Sequence, residues 1–215
     1  IGDPQRSDIK DVCGDFPAVY GWDIGIVEPR EPDPTIHFVR PSRANMLQYA
    51  RETYERGGII TFCWHQSNPV TKANAWDLTP ALATLLPGGE NNESYKKTLD
   101  SFAAFFKELW PMPVIFRPYH EHNGDWFWWG KGNADEKDFI ALWRFTEEYL
   151  RDVKGVHNLI YAFSPDRSKI ELATFDKDYL YGYPGDDYVD IFALDDYRDA
   201  APRGDETTPT MDVRQ

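Results

Sequence analysis

Residues 113–121, which read Pro-Val-Ile-Phe-Arg-Pro-Tyr-His-Glu, indicate the fold more clearly than any other segment. The first half of this stretch is a short apolar run of the kind that forms a buried β-strand. The strand passes directly into a polar segment that continues to Gly130 as His-Asn-Gly-Asp-Trp-Phe-Trp-Trp-Gly. The four consecutive aromatics at 126–129 fit neither a helical period nor a strand alternation, so a loop is predicted there. Aromatic loops on a rigid scaffold are frequent binding sites.

The same arrangement, a buried strand followed by polar or aromatic residues, recurs along the chain. Strands are predicted at about residues 16–24, 59–64, 113–116, 159–163 and 190–194. The residues that follow or end them are Trp22-Asp23, Trp64-His65, His120-Glu121, Ser164-Pro165-Asp166 and Asp195-Asp196-Tyr197. Amphipathic helical patterns at about 42–56, at 93–109 and from Asp135 onward lie between strands. This alternation predicts an α/β fold with parallel strands.

The strand ends favour one α/β architecture over another. Active sites of (β/α)₈ barrels are assembled from the carboxyl ends of several strands, which matches the recurring polar ends. A doubly wound sheet is the alternative, but no strand is followed by a glycine-rich phosphate loop. We therefore predict a (β/α)₈ TIM barrel. Because only five strands are found, residues 1–215 are expected to form a single partial domain covering roughly strands 2–6.

Composition excludes several function classes. The formal charge of −13 argues against nucleic acid and anionic membrane surfaces as partners, since phosphate groups require a basic surface. No apolar run reaches about 18 residues, so no membrane span is expected. The first residues lack a signal-peptide pattern, which leaves a cytosolic protein or a removed signal. Cys13 and Cys63 are too few for a disulfide framework and suit no metal site, and Cys63 is interpreted as core.

Glu121 is the candidate acid. An isolated Glu is most often a surface ion-pair partner of little energetic consequence. Here, however, tryptophans follow within a few residues, and burial beside apolar rings raises the pKa of a carboxyl enough to make it a proton donor near neutrality. Flat aromatic rings also stack on sugar faces. A sugar-processing site is therefore favoured over a surface ion pair.

Residues 117–130 resemble the signature of glycoside hydrolase family 26, whose members are chiefly endo-β-1,4-mannanases. Further matches follow in the same order at residues 17–23, 57–65, 85–90 and 183–190. The resemblance extends from about residue 14 to residue 197. It implies a (β/α)₈ barrel that cleaves β-mannan by a retaining double displacement, without a cofactor or a metal. It also implies a secreted, periplasmic or cell-surface protein, and a monomer is expected.

The resemblance also implies roles for individual residues. Glu121 would be the acid/base at the end of the fourth barrel strand, and Tyr197 would be the tyrosine that hydrogen-bonds the nucleophile. The other residues expected to bind substrate are Trp64, His65, Trp76, His120, Asn123, Trp126 and Asp195. Trp64 and His65 point to opposite sides of the chain, which leaves open that one of them serves only packing. A histidine satisfied at a strand end is the alternative for His65.

The nucleophile is the part of the family's machinery that this sequence lacks. A retaining glycosidase needs a second carboxylate about 5–5.5 Å from the first. In the family it is a Glu at the end of the seventh strand, which would fall beyond Gln215. Glu171 and Glu206 do not follow predicted strands, so neither is a candidate. The nucleophile is therefore expected outside these 215 residues.

Three other functions remain open from the sequence. Xylan or mixed-linkage glucan could replace mannan as the substrate. A non-catalytic carbohydrate-binding protein could hold a glycan on Trp76, Trp126 and Trp128. A purely structural α/β domain would leave the aromatic loop without a role.

Overall fold

A computed structural model describes residues 7–29 and 41–197 as an α/β structure built on one five-stranded parallel arrangement. The strands are β1 (Val19–Asp23), β2 (Ile59–Cys63), β3 (Val114–Arg117), β4 (Leu159–Phe163) and β5 (Ile191–Phe192). Each strand pairs in parallel with the next one in the chain, in the order β1-β2-β3-β4-β5. This uninterrupted order is that of a barrel wall, because a doubly wound sheet reverses its strand order at a switch point.

Of the five α-helices in the described residues, the second, third and fourth lie where the hydrophobic periodicity predicts them, and the short first and last ones were not predicted. The five helices are α1 (Asp8–Cys13), α2 (Arg43–Glu55), α3 (Asn92–Glu108), α4 (Glu136–Glu148) and α5 (Phe175–Tyr179). Ser42 accepts a hydrogen bond from the Asn45 N–H at 3.1 Å, and Asp135 accepts one from the Lys137 N–H at 3.0 Å. These side chains satisfy backbone donors that have no partner within the helix. Among the residues described, no helix is long and apolar enough to cross a membrane.

The core lies between the sheet and the helices. Strand β2 alternates, with Ile60 and Phe62 buried and Ile59 half exposed. Phe62 contacts Phe105 and Phe106 of α3 with ring centroids 5.5 and 6.0 Å apart. Each large side chain buried in this way contributes about 1.5–3 kcal/mol to the free energy of folding. This packing of the strands against the helices holds the ends of the strands in position.

The strand register aligns the residues that end β1, β2 and β3. Asp23 pairs with Cys63, and Cys63 pairs with Arg117, so the three lie side by side at the carboxyl edge of the sheet. The interpretation of Cys63 as a core residue is wrong. Alternation along β2 turns its side chain away from the core formed by Ile60 and Phe62, and it lines a cavity.

Candidate active site

A cavity of about 590 Å³ lies at the carboxyl ends of the strands, and its size is within the range of ligand-binding pockets. Seven of the residues singled out from the sequence line it. They are His65, Trp76, His120, Glu121, Trp126, Asp195 and Tyr197. The other lining residues are Cys63, Arg117, Phe127, Leu194 and Asp196. Side chains from β2, β3 and the segment after β5 thus meet at one place, although they are far apart in sequence.

The loop after β3 has an unusual backbone that is held in place by the segment following β4. Tyr119 and Glu121 have φ values of +52° and +55°, in the left-handed region that non-glycine residues seldom occupy. The Glu121 N–H donates to the Ser164 carbonyl at 2.7 Å. The Asn123 side chain exchanges two hydrogen bonds with the Asp166 backbone, at 2.9 and 2.7 Å. Such strain, about 1–3 kcal/mol per residue, persists only where surrounding contacts enforce it, and it clusters at functional sites.

The Glu121 carboxyl is buried at the cavity wall and is only 9% exposed. Burial raises its pKa above the ordinary value for Glu, and the neighbouring carboxylates of Asp195 and Asp166 act in the same direction. A hydrogen bond opposes this, because Trp126 Nε1 donates to Glu121 Oε2 at 2.8 Å. The net upward shift leaves a larger protonated fraction near neutrality, which suits a proton donor.

Gly124 sets the position of the Trp126 ring. A Cβ atom added at Gly124 would lie 2.4 Å from the indole, closer than atoms can approach. Gly124 therefore allows the ring to lie against the backbone and to direct its N–H at Glu121. The amino group of Lys169 lies 5.4 Å from the centroid of the same ring, on its face.

An aspartate and two histidines form a hydrogen-bonded chain along the cavity. Asp23 Oδ2 lies 2.7 Å from His65 Nδ1, and His65 Nε2 lies 3.2 Å from His120 Nε2. The hydrogen bond to Asp23, followed by that to Cys63, raises the pKa of His65 to about 10. Burial, followed by the charge of His65, lowers the pKa of His120 to about 3. A protonated His65 therefore donates to both Asp23 and a neutral His120.

Trp76 supplies an exposed flat surface beside these histidines. Its side chain is 56% exposed, and its ring is stacked on His65 with centroids 5.6 Å apart and planes inclined by 19°. Phe127 supports the indole from the side, with centroids 5.5 Å apart. An exposed indole fixed in this way offers a sugar ring an apolar face.

Asp195 and Tyr197 reach the cavity from the segment after β5. Asp195 hydrogen-bonds Arg117, and the Ser164 hydroxyl donates to Asp195 Oδ1 at 2.9 Å. The negative charge of Glu121, together with burial, raises the pKa of Tyr197. The phenol therefore lies within the electrostatic field of the candidate acid. Both of these bonds end on Oδ1 of Asp195, and its Oδ2 is buried without a hydrogen-bond partner among the described residues.

Three residues expected to contact sugar lie away from the cavity. Trp64 is 1% exposed, stacks on Tyr95 and hydrogen-bonds Glu28, so it is the packing member of the Trp64-His65 pair. The buried Asn123 amide connects the loop to Asp166, in the segment that follows β4. The prediction that Trp128 presents a binding surface is wrong, because its ring is fully buried and its N–H donates to the Gln66 carbonyl at 3.0 Å.

The fold and this site together define a protein of the (β/α)₈ barrel class, with its candidate active site at the carboxyl ends of the strands. The model of Glycosyl hydrolase family 26 matches residues 2–208, and the chain belongs to this family. It is 38% identical over 199 residues to a mannan endo-1,4-beta-mannosidase of Bifidobacterium adolescentis, a match that covers 90% of this chain and 20% of that protein.

Solved structures show the same relationship. The catalytic domain of an endo-beta-1,4-mannanase from Bacillus sp. JAMB-750 is 42% identical with a TM-score of 0.79, over 89% of this chain and 50% of that one. A beta-mannanase from Bacteroides ovatus is 37% identical with a TM-score of 0.81, over 92% of this chain and 58% of that one. The chain thus spans about half the length of these structures, and the family resemblance and the barrel fold class are confirmed.

Proposed function

We propose that the protein hydrolyses β-1,4-mannan, with Glu121 as the general acid and then the general base. The observation that carries this proposal is the buried Glu121 carboxyl, with its raised pKa, in a cavity walled by the exposed Trp76 ring. A polysaccharide chain needs such a combination of a flat platform and a proton donor. The names of the relatives, mannan endo-1,4-beta-mannosidase among them, support mannan as the substrate.

In the proposed reaction Glu121 protonates the glycosidic oxygen as a nucleophilic carboxylate displaces the leaving sugar and forms a covalent glycosyl-enzyme. The Glu121 carboxylate then removes a proton from the water that hydrolyses this intermediate and releases the nucleophile. The two displacements together retain the configuration. The hydrogen bond from Trp126 orients the carboxyl and limits the rise in its pKa. His65 and His120 line the same cavity as Glu121 and are proposed to contact the sugar there.

The retaining reaction requires a nucleophile about 5–5.5 Å from the acid. We propose that the nucleophile is a Glu outside residues 1–215, which is compatible with the greater length of the relatives. Tyr197, which lines the same cavity as Glu121, is proposed to hydrogen-bond this nucleophile.

The acid/base role is tested in the complete protein with Glu121→Ala. We expect a severe loss of turnover on substrates with poor leaving groups, while activated aryl β-mannosides retain part of their rate because their leaving group needs little protonation. Equal losses on both substrate types would contradict the role of Glu121. Product sizes from linear mannan, xylan and mixed-linkage glucan determine which glycan is cleaved and whether cleavage is internal.

Sugar binding is tested separately, with this 215-residue chain in a gel containing mannan. We expect mannan to retard the chain, and Trp76→Ala to reduce that retardation. Retardation by mannan without product release from the complete protein would identify a carbohydrate-binding protein instead of a hydrolase.

A further inference from the structure

Three side chains with metal-binding atoms meet at the end of β1 and β2. Asp23 and Cys63 are register partners on the two adjacent strands, and His65 follows Cys63 by two residues, on the same side of the chain. A carboxylate oxygen, the Cys63 Sγ and an imidazole nitrogen all lie within 4.8 Å of one another. Cys63 and His65 both line the cavity. A cation bound there would be reached from the same opening as the sugar.

The types of donor atom determine which ion fits. Thiolate and imidazole are ligands of Zn²⁺ and related thiophilic ions, whereas Mg²⁺, Ca²⁺ and Mn²⁺ prefer oxygen. Three protein ligands with a fourth position open to solvent are typical of accessible zinc sites, with bonds of about 2.0–2.3 Å. A set of atoms already within 4.8 Å needs only small side-chain movements to reach such bonds.

The backbone around Asp23 holds this arrangement in place. Asp23 Oδ1 accepts the Gly25 N–H at 2.7 Å, while Oδ2 accepts the His65 N–H at 3.1 Å. A Cβ atom at Gly25 would lie 2.7 Å from Asp23 Oδ1, so the glycine leaves room for the carboxylate. One ligand is therefore fixed by backbone donors, and such preorganisation reduces the entropy lost when a metal binds.

We propose that Asp23, Cys63 and His65 form a binding site for a thiophilic divalent cation of the Zn²⁺ type. Metal binding requires the protonated His65 to release one of its protons. The ring nitrogen that then coordinates the cation gives up its present hydrogen bond, to Asp23 through Nδ1 or to His120 through Nε2. Binding of the cation therefore breaks one link of the hydrogen-bonded chain formed by Asp23, His65 and His120. A further consequence, which rests on the proposed function, is that Zn²⁺ and mannan compete for the protein.

Cobalt absorption tests the site directly on this chain. Co²⁺ bound by a thiolate gives a near-ultraviolet charge-transfer band, which we expect for the parent chain and for Cys13→Ser. The band should be lost in Cys63→Ser, and one equivalent of Zn²⁺ should remove it from the parent. Absence of the band from the parent, or its persistence in Cys63→Ser, overturns the proposal.

Alkylation of the unmodified chain provides a measurement that needs no variant. Cys63 is half-buried and Cys13 is exposed, so Cys13 serves as an internal control. We expect Zn²⁺ to slow the reaction of Cys63 with iodoacetamide by about tenfold or more, since a metal-bound thiolate is a poor nucleophile, while Cys13 reacts unchanged. Equal rates at Cys63 with and without Zn²⁺ overturn the site.

Competition with mannan separates the site from the proposed function. Zn²⁺ should weaken the retardation of the parent chain by mannan and leave that of Cys63→Ser unchanged. Equal weakening in both would contradict competition through this site. If mannan retards neither protein while the cobalt band is present, the metal site stands and the proposed function fails.

Discussion

Two glutamates of this protein have a raised pKa because they are buried, but they differ in their hydrogen-bonding partners and in their access to the cavity. Glu121, after β3, and Glu147, on α4, are both buried, with 9% and 4% of their surface exposed. Burial raises the pKa of both, and that of Glu147 reaches about 7. Glu121 opens onto the cavity and accepts an indole N–H. Glu147 does not line that cavity and is paired with Arg151 at 2.6 Å.

The comparison shows that a raised pKa does not by itself identify a proton donor. A catalytic acid must also reach the substrate, and its partner must orient it without neutralising it. The neutral indole of Trp126 meets this requirement at Glu121, whereas the partner of Glu147 is the charged Arg151 and Glu147 does not line the cavity. At Glu147 the shift only makes folding depend on pH.

The largest expected effect separates the two carboxyls by turnover. Glu121→Gln in the complete protein should lower kcat on mannan by about 10²–10⁴-fold, the usual contribution of general acid catalysis. Glu147→Gln should stay within about twofold of the parent, because Glu147 is remote from the cavity. Steady-state kinetics on the two variants measures both. A comparable loss in each would contradict the assignment.

The second prediction concerns the free energy of unfolding, for which Glu147 is the glutamate with the expected effect. The folded-state pKa of Glu147 is about 7 and its ordinary value is 4.5, so folding favours the protonated form. Its contribution is complete below pH 4.5 and is lost as the pH rises through 7. We expect the parent to lose about 2 kcal/mol more than Glu147→Gln across this range, allowing for the partly exposed Arg151. Urea unfolding at several pH values measures the difference, and parallel curves would contradict it.

A third prediction tests the sugar platform beside Glu121. Trp76→Ala should raise KM for mannan about tenfold with little change in kcat, because stacking binds substrate and transition state alike. Trp110 is the matched control, since it is 62% exposed and does not line the cavity. Trp110→Ala should leave KM unchanged. A similar rise in both variants would show that Trp76 acts through general stability.

The smallest expected effect tests the partner of Glu121. Trp126→Phe keeps an aromatic ring but removes the hydrogen bond to Glu121 Oε2. Because this hydrogen bond lowers the pKa of the Glu121 carboxyl, its loss should raise that pKa. The alkaline limb of the kcat/KM profile should therefore move to higher pH, with a loss of a few-fold in rate. Trp128→Phe removes a buried indole donor elsewhere and should leave that limb in place. An unchanged limb in Trp126→Phe would show that the hydrogen bond does not tune Glu121.

Most of the fold could be predicted from the sequence because its signals are local. Helix α2 begins after Ser42 as its capping pattern indicates, and β4 has the predicted bounds of Leu159–Phe163. Strand β1 is shorter than predicted, at Val19–Asp23, and β5 retains only Ile191–Phe192. Strand ends depend on pairing with neighbours, which no local pattern specifies.

Only part of the site could be predicted from the sequence. The features that could not be predicted depend on contacts between residues far apart in the chain. Alternation already placed Trp64 opposite His65, and the structure buries it. The burial of Trp128 and the hydrogen bond between Asp23 and His65 depend on how the loop and β1 pack, and no local sequence pattern indicates either of them. Cys63 was misinterpreted because an apolar run hides which of its members face a cavity.

The most direct test of the central claim is the pH dependence of kcat/KM on mannan for the parent, Glu121→Ala and Glu147→Gln in the complete protein. If Glu121 is the proton donor, the alkaline limb is present in the parent, absent from Glu121→Ala and unchanged in Glu147→Gln. An alkaline limb that persists in Glu121→Ala would assign proton donation to another group and would contradict the account.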